Sequence, residues 1–312
     1  MRPTGEIEEI VCLALRKKKK IKNRSSLEAA ATIRIDLHCH STCSDGSLSA
    51  KDVARRARSC GVELFCLTDH DTVAGYTQTI DAFSPGHSLC GVELTCSFEA
   101  RTVHLLVYGV DYKAASGPIQ QILLENQVKR CLRVLKIVEK LGNLGIQLDS
   151  HSILEQAKHR TPGRPDVARA MVENRTCHSV QEAFTRYLRD GGPADVSTSY
   201  PELASILSVG NDLGLKMSLA HPQVYKEPEF VQKMFEKFRF RGLEGLETFN
   251  CSHTWGKRKL WCDLANAVDA VMTAGSDYHG TDKPRIMNPG VDFPRDLLGR
   301  LSEWLDVRNF AC

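Results

Sequence analysis

Histidine and carboxylate residues recur at short intervals along this sequence of 312 residues. His38 and His40 are two residues apart, so on an extended strand both imidazoles project from the same face. Asp277 and His279 repeat this spacing. Imidazoles and carboxylates without thiolates are typical ligands of zinc, manganese or iron. The candidate metal ligands are His38, His40, Asp45, His70, Glu93, His104, His221, Asp277 and His279.

Most of these residues lie at or near the ends of predicted strands. Ile33, Ile35 and Leu37 alternate with polar residues, which is the period-two pattern of a strand. Further strands are predicted over residues 62–68, 89–95, 103–110, 216–220, 243–249 and 271–274. A helix with Ser49 as its N-cap follows the first strand, and another helix is expected before residue 89. This alternation predicts an α/β fold with parallel strands that gather polar residues at their C-terminal ends.

Each candidate ligand also has a structural interpretation. A single buried histidine is usually a hydrogen-bonded structural residue, and an aspartate in the sequence Ser44-Asp45-Gly46 usually forms a turn. A whole set of such groups at strand ends would be costly to bury without a cation to neutralise and satisfy them. The joint arrangement therefore favours metal binding.

The strand pattern stops between residues 115 and 195. Val128, Leu132 and Leu135 recur at helical spacing, and further helical segments cover residues 153–157, 167–172 and 180–188. We interpret residues 115–195 as an all-helical insertion between two parts of the α/β unit, residues 32–114 and 196–312. Residues 1–31 are interpreted as a flexible, solvated N-terminal extension, although their basic run at 16–20 could also contact RNA or an anionic surface.

Composition excludes several classes of protein. The formal net charge is only +3, with 41 Lys and Arg against 38 Asp and Glu, which is too small for a nucleic-acid footprint by itself. No apolar run reaches the roughly 18 residues of a membrane span, and the N-terminus lacks the order of a secretory signal. The 12 cysteines include no C-x-x-C pair and are interpreted as reduced packing residues. These features favour a cytoplasmic protein that does not enter a membrane.

Five segments, in this order, are similar to the motif series of the PHP (polymerase and histidinol phosphatase) superfamily. They are His38-Cys39-His40-Ser41-x-x-Ser44-Asp45-Gly46, Thr68-Asp69-His70-Asp71, Gly91-Val92-Glu93, Ala220-His221-Pro222 and Gly275-Ser276-Asp277-x-His279. The resemblance implies a distorted seven-stranded (β/α) barrel, a trinuclear metal site and phosphoesterase activity. It implies a first metal held by His38, His40, Glu93 and Asp277, a second by Asp45, His70 and His279, and a third by Glu93, His104 and His221.

The predicted insertion resembles that of one subgroup, the nucleoside 3′,5′-bisphosphate phosphatases and related 5′→3′ exoribonucleases. The similar segments are Arg130-x-x-Arg133, Gly163-Arg164-Pro165, Glu182-Ala183-Phe184-x-x-Tyr187-Leu188 and Asn250-x-Ser252-His253. The resemblance implies that Arg130, Arg133 and Arg164 bind substrate phosphates. Asp71 and His253 are further candidate contacts. Arg130 and Arg133 could equally be solvated surface charges, because they lie opposite Val128, Leu132 and Leu135 on a predicted helix.

One position departs from this subgroup, which usually has His directly after Gly-Arg-Pro, whereas this chain has Asp166. A carboxylate beside a bound phosphate would repel it. Alternatively, Asp166 caps a helix that starts near Val167.

The leading hypothesis is a metal-dependent phosphoesterase with three divalent ions, Mn²⁺, Zn²⁺ or Fe²⁺. It would hydrolyse nucleoside 3′,5′-bisphosphates or the 5′ ends of short RNA through a metal-bound hydroxide. Two alternatives stay open: a small-molecule phosphomonoesterase of the histidinol phosphatase type, and a non-catalytic metal-binding PHP domain. The last predicts missing ligands, and none of the candidates is missing. The sequence implies no protein partner.

Overall fold

A computed structural model describes residues 32–84, 86–114 and 116–307 of the chain. The interpretation of residues 1–31 as an extension lies outside the described residues. Within them, one sheet contains eight strands in the order β7-β6-β5-β4-β3-β2-β1-β8. The strands are β1 (Thr32–Asp36), β2 (Leu64–Leu67), β3 (Ser88–Phe98), β4 (Arg101–Tyr108), β5 (Lys216–Leu219), β6 (Leu243–Asn250), β7 (Val271–Gly275) and β8 (Val291–Pro294).

The first seven strands close into a barrel. Just beyond β1, the Leu37 amide donates to the Ala274 carbonyl of β7 at 2.9 Å, and Cys39 forms a parallel bridge with Tyr278. The eighth strand pairs with β1 in antiparallel orientation, with Ile33 opposite Phe293. The expected α/β barrel is therefore confirmed, and its sheet carries one strand more than the seven expected.

Not all strands are parallel, which corrects the sequence expectation. Strand β4 runs antiparallel to both β3 and β5. Only Glu99 and Ala100 separate β3 from β4, and their φ values of 49° and 61° are those of a two-residue hairpin turn. So short a connection can only join antiparallel strands, because a parallel pair needs a long crossover.

The described helices of at least four residues are α1 (Ala50–Ser59), α2 (Pro118–Asn143), α3 (Ser150–Gln156), α4 (Arg164–Glu173), α5 (Val180–Ala183), α6 (Leu203–Asp212), α7 (Pro228–Phe238), α8 (Trp255–Ala267) and α9 (Arg295–Trp304), besides the turns at Phe184–Leu188 and Pro222–Tyr225. Ser49 caps α1 as expected, since its side chain accepts a hydrogen bond from the Asp52 amide. None of the helices in the described ranges is long and apolar enough to cross a membrane.

The helix expected before residue 89 is wrong. The helical structure in its described residues, 71–84 and 86–87, is limited to two single 3₁₀ turns, Tyr76–Gln78 and Ile80–Ala82. Threonine side chains bond the local backbone there: Thr72 Oγ1 accepts from the Ala74 amide at 3.2 Å, and Thr79 Oγ1 donates to the Tyr76 carbonyl at 2.7 Å. Such bonds compete with a regular helix.

Residues 118–188 are helical and have an apolar core of their own, which includes Val134, Ile137 and Met171. Helix α2 is oriented opposite to what its apolar residues suggest, because its apolar stripe faces solvent. Its stripe of Val128, Leu132 and Leu135 is exposed to solvent, at 59%, 51% and 39%. The face that carries Arg130 and Arg133 also carries the buried Asn126, Val134 and Ile137. On this face Arg130 pairs with Asp71, just after β2 of the barrel, and Arg133 pairs with Asp195.

Candidate metal centre

All nine candidate ligands converge at one end of the barrel. Their nitrogen and oxygen atoms form four overlapping groups, each with ligand atoms within 4.8 Å of one another. The groups are His40/Asp45/His70/His279, His38/His40/Asp277, His38/Glu93/His221 and His70/Glu93/His104. These overlapping groups could hold several ions side by side.

The strand ends position most of the set. His38 and His40 follow β1, His70 follows β2, and His221 follows β5. Glu93 lies in the middle of β3, rather than at its end. Its backbone forms an isolated parallel β-bridge with that of His70.

Three residues at this end of the barrel adopt left-handed backbone conformations. The φ values are 53° at Asp71, 27° at His221 and 56° at Asp277. Non-glycine residues rarely adopt such conformations, and backbone strain of this kind concentrates at functional sites.

Glu93 lies at the middle of the centre. Its Oε1 is hydrogen-bonded to His104 Nδ1 at 2.8 Å and to His221 Nε2 at 2.9 Å. Its Oε2 lies 3.0 Å from His40 Nε2, 3.3 Å from His38 Nε2 and 3.1 Å from His70 Nδ1. This oxygen makes no hydrogen bond within the part of the chain that the structure describes. Buried oxygens are normally hydrogen-bonded. Three ring nitrogens around one unbonded oxygen therefore fit coordination of a shared cation.

The pKa values of the candidate ligands shift in both directions. Burial opposes the charged forms of His38 and His221, but the neighbouring carboxylates outweigh it and raise both pKa values. Burial lowers the pKa values of His70 and His104, which favours their neutral, metal-binding form. Burial opposes ionisation of Glu93, but the neighbouring histidines, His70 foremost, hold its pKa well below the usual value. For Asp277, Lys283 and His279 outweigh burial and lower the pKa. Neutral imidazoles and ionised carboxylates are the ligand forms that metal binding requires.

Glu247 is a site residue that the sequence analysis missed. This fully buried residue of β6 lies 3.2 Å from His38 Nδ1 and accepts the His221 backbone N–H at 2.5 Å. A carboxylate on Nδ1 leaves Nε2 of His38 as the atom that faces Glu93 and Asp277. The sequence offered little signal for it, because Glu247 is one of two acidic residues in the predicted strand 243–249.

We expect Glu247→Gln to weaken metal binding by about 10- to 100-fold, because the ligand histidine loses the carboxylate that fixes its orientation. Metal titration of the purified variant measures the change. Glu244→Gln is the matched control, since Glu244 lies on the same strand and bonds Trp304 Nε1. Equal affinities of the two variants for metal would contradict the orienting role of Glu247.

Two more buried carboxylates, also missed, organise the loops around the centre. Asp36 accepts hydrogen bonds from the Ser276 amide at 2.9 Å and from the Gly290 amide at 2.7 Å. Burial raises the pKa of Asp36 to about 6. Asp69 accepts the Ser41 amide at 2.7 Å. Both carboxylates are occupied by backbone donors and hold the loops that follow β1 and β7.

A cleft of about 1130 Å³ opens over the centre between the barrel and the helical residues 118–188. Its wall includes His70, Glu93 and His104 on the barrel side. The opposite wall includes Arg130, Arg133 and Arg164. Seven of the nine predicted metal ligands and the three predicted phosphate-binding arginines therefore line one cavity, and His38 and His40 lie buried beneath it.

Arg133 and Arg164 contribute positive charge that the protein only partly neutralises. The Arg133 side chain is 18% exposed, and its Nη2 lies 3.4 Å from Asp195 Oδ1. Its buried Nε has no hydrogen-bond partner among the described residues. Burial, and after it the charge of Arg164, lowers the pKa of Arg133. Arg164 donates to the Leu188 carbonyl at 3.1 Å and to Asp190 at 2.5 Å. Two guanidinium groups that repel each other in a cleft suit an anionic ligand.

Arg130 is tied to Asp71. Its Nε donates to Asp71 Oδ2 at 2.5 Å and its Nη2 donates to Thr95 Oγ1 at 2.7 Å. The pKa of Arg130 is raised because the Asp71 carboxylate outweighs burial. Asp71 is fully buried and also accepts from Asn126. The structure thus places Asp71 behind Arg130 and not on the cleft wall.

His253 does not line the cleft either. Its Nδ1 lies 2.9 Å from the Thr248 carbonyl and its Nε2 lies 2.7 Å from Gln223 Oε1. Because both of its ring nitrogens have a partner within the protein, His253 stabilises the loop after β6.

Asp166 also lies off the cleft wall. Helix α4 begins at Arg164, three residues earlier than the predicted start, and Asp166 Oδ2 accepts the Gly163 amide at 2.7 Å. The expected capping contact is therefore present, made from inside the first turn of the helix.

Residues 36–173 match the PHP domain. A curated 5′-3′ exoribonuclease of Haemophilus influenzae is 31% identical over 254 residues, which cover 80% of this chain and 90% of the relative. A 3′,5′-nucleoside bisphosphate phosphatase of Chromobacterium violaceum is 26% identical, covering 78% and 87%. A solved structure from Bifidobacterium adolescentis, described as a candidate metal-dependent phosphoesterase, is 23% identical and shows the same fold, with a TM-score of 0.74 and coverage of 88% and 97%. By these similarities and by the ligand set at its barrel end, the chain belongs to the PHP domain family.

Proposed function

We propose that this protein is a metal-dependent phosphoesterase that hydrolyses phosphate from nucleoside 3′,5′-bisphosphates or from the 5′ ends of short RNA. The observation that carries the proposal is one cleft lined both by seven of the nine His/Asp/Glu candidate ligands and by Arg133 and Arg164. The names of the two curated relatives point to the same substrates.

The proposed cofactors are three divalent ions, Mn²⁺, Zn²⁺ or Fe²⁺. The first would be held by His38, His40, Glu93 and Asp277, the second by Asp45, His70 and His279, and the third by Glu93, His104 and His221. Two observations support this division in part. Asp45, His70 and His279 fall in one ligand group and His38, His40 and Asp277 in another. Glu93 Oε1 lies 2.8 Å from His104 Nδ1 and 2.9 Å from His221 Nε2. Bound ions of this kind polarise phosphoryl oxygens and bring the pKa of a coordinated water toward neutrality.

The protein's own residues would bind and align the substrate. Arg133 and Arg164 would hold the phosphate that does not react, because their charge is only partly neutralised within the protein. Arg130, held in place by Asp71 and Thr95, would add a third positive charge for phosphate binding in the same cleft. Anchoring a second phosphate restricts the orientation of the first, which lowers the entropic part of the barrier.

A phosphatase for a small monoester such as histidinol phosphate would have no use for two cleft arginines. A non-catalytic domain would have no need of an intact ligand set. We also propose a cytoplasmic location, because the ten described cysteines are all free thiols, as expected in a reducing compartment.

The test is a phosphate-release screen with protein supplied with Mn²⁺, Zn²⁺ or Fe²⁺ in turn. The substrates are a nucleoside 3′,5′-bisphosphate, a 5′-phosphorylated short RNA, a nucleoside 5′-monophosphate and histidinol phosphate. We expect the highest kcat/KM on the bisphosphate or the RNA. A preference for histidinol phosphate, or no turnover with full metal content, would contradict the proposal.

A further inference from the structure

A group of four charged residues joins the helical segment to the barrel. Its centre is Asp166, whose side chain is only 3% exposed. Asp166 Oδ1 lies 2.6 Å from Arg169 Nη2 and also forms an ion pair with Arg160. Arg169 in turn forms an ion pair with Asp282. We call Arg160, Asp166, Arg169 and Asp282 the Asp166 cluster.

One end of the Asp166 cluster reaches the loop that follows β1. Arg160 Nη1 donates to the Ser44 carbonyl at 3.1 Å, one residue before the candidate ligand Asp45. The next residue of the helical segment, Thr161, donates its amide to the Cys43 carbonyl at 3.0 Å. The backbone that presents Asp45 is therefore held from the helical side.

The other end reaches the loop that follows β7. Asp282 closes the short turn Gly280–Asp282, which starts directly after the candidate ligand His279. The two ligands at the ends of the cluster belong to one group, because His279 Nε2 lies 3.3 Å from Asp45 Oδ1. A single carboxylate of the helical segment thus contacts both arginines that reach the loops of this ligand group.

We propose that Asp166 is a positioning residue for the metal site that contains Asp45 and His279. It holds two loops that are far apart in the sequence at a fixed separation, through one ion pair toward each. The proposal extends the proposed function, since it assigns a role to a residue outside the metal ligands and the cleft wall.

The two oxygens of Asp166 separate this role from helix capping. Oδ2 accepts the Gly163 amide, which is the capping contact, whereas Oδ1 meets the two guanidinium groups. A histidine at this position could not accept from all three donors, since a neutral imidazole has one acceptor nitrogen. An asparagine could keep the capping contact through its carbonyl oxygen, but it would lose the charge that pairs with both arginines.

The test compares Asp166→Asn with Arg169→Gln, which breaks only the link toward Asp282. Glu155→Gln is the matched control, because it removes one carboxylate of the helical segment from an exposed pair with Lys158. Hydrogen exchange is measured first on metal-free protein, so that the result does not depend on turnover. We expect Asp166→Asn to speed amide exchange in residues 42–47 and 278–283, and Arg169→Gln to speed it in residues 278–283 alone.

Metal titration is the second readout. We expect both variants to weaken the binding of one equivalent of Mn²⁺ by about tenfold, as for loss of other residues that orient metal ligands. The control should match the unmodified protein in both readouts. If Asp166→Asn changes exchange only around residues 163–166 and leaves metal affinity intact, Asp166 is a helix cap and the proposal is wrong. Should Asp166→Asn fail to fold, Arg169→Gln provides the test. Unchanged exchange in residues 278–283 together with unchanged metal affinity in that variant would show that the proposal is wrong. Failure of the phosphate-release screen would leave these two measurements unaffected.

Discussion

Glu93→Gln should lower kcat by about a thousandfold or more, the equivalent of roughly 4 kcal/mol of transition-state stabilisation. The carboxylate is the only candidate ligand that approaches five imidazoles, those of His38, His40, His70, His104 and His221, among the described residues. An amide of the same size keeps the packing but removes the negative charge that two cations would share. We therefore expect the variant to lose bound metal as well as turnover.

Elemental analysis and phosphate release on the same preparation measure both effects. Glu63→Gln provides the control, because Glu63 is exposed just before β2 and its substitution changes the net charge equally. Near-normal kcat in a Glu93→Gln protein with full metal content would show that Glu93 is not a shared ligand.

Arg164→Ala should reduce kcat/KM for a 3′,5′-bisphosphate by about 2 to 4 kcal/mol, or roughly 30- to 1000-fold. The expectation follows from the placement of Arg164 on the cleft wall beside Arg133, opposite the metal ligands. A nucleoside 5′-monophosphate has no second phosphate to lose, so its kcat/KM should change much less. The ratio of the two effects, and not either one alone, tests the assignment.

Arg186→Ala is the matched control for Arg164, since Arg186 is an exposed arginine of the same helical segment that pairs with Glu182. It should leave both substrates unaffected. Equal losses on the bisphosphate and the monophosphate in Arg164→Ala would move Arg164 to the reacting phosphate. Equal losses accompanied by a lower Tm would assign it a structural role.

The chemistry-bearing residues were predictable from the sequence because their types are unusual in apolar surroundings. His38 and His40 continue the alternating pattern of the first strand and are buried. Burying such groups without a partner is costly. The seven barrel strands were likewise predictable from apolar runs bounded by turn residues. The local sequence pattern is therefore sufficient to predict the candidate ligands and the seven strands.

Tertiary context decided the features that the sequence analysis missed. Strand β8 has four residues and ends in Pro294, too short a run to show periodicity. The apolar stripe of Val128, Leu132 and Leu135 suggested the wrong buried face of α2. The opposite face is the buried one, because Asn126 and Arg130 bond the buried carboxylate of Asp71 in the barrel. The role of Glu247 follows only from the folded structure, in which β6 places its carboxylate beside His38.

The closing of the barrel between β1 and β7 constrains how the chain reaches its folded state. β1 is paired on one side by β2, but its other contacts come from β7 and β8, more than two hundred residues later in the chain. The bond between His38 and Glu247 spans 209 residues. During synthesis one edge of the first strand therefore stays unpaired until β7 and β8 have been made. Contacts of such long range slow folding and expose unpaired strand edges to aggregation. The complete metal site, which needs His221, Asp277 and His279, is consequently among the last parts of the molecule to form.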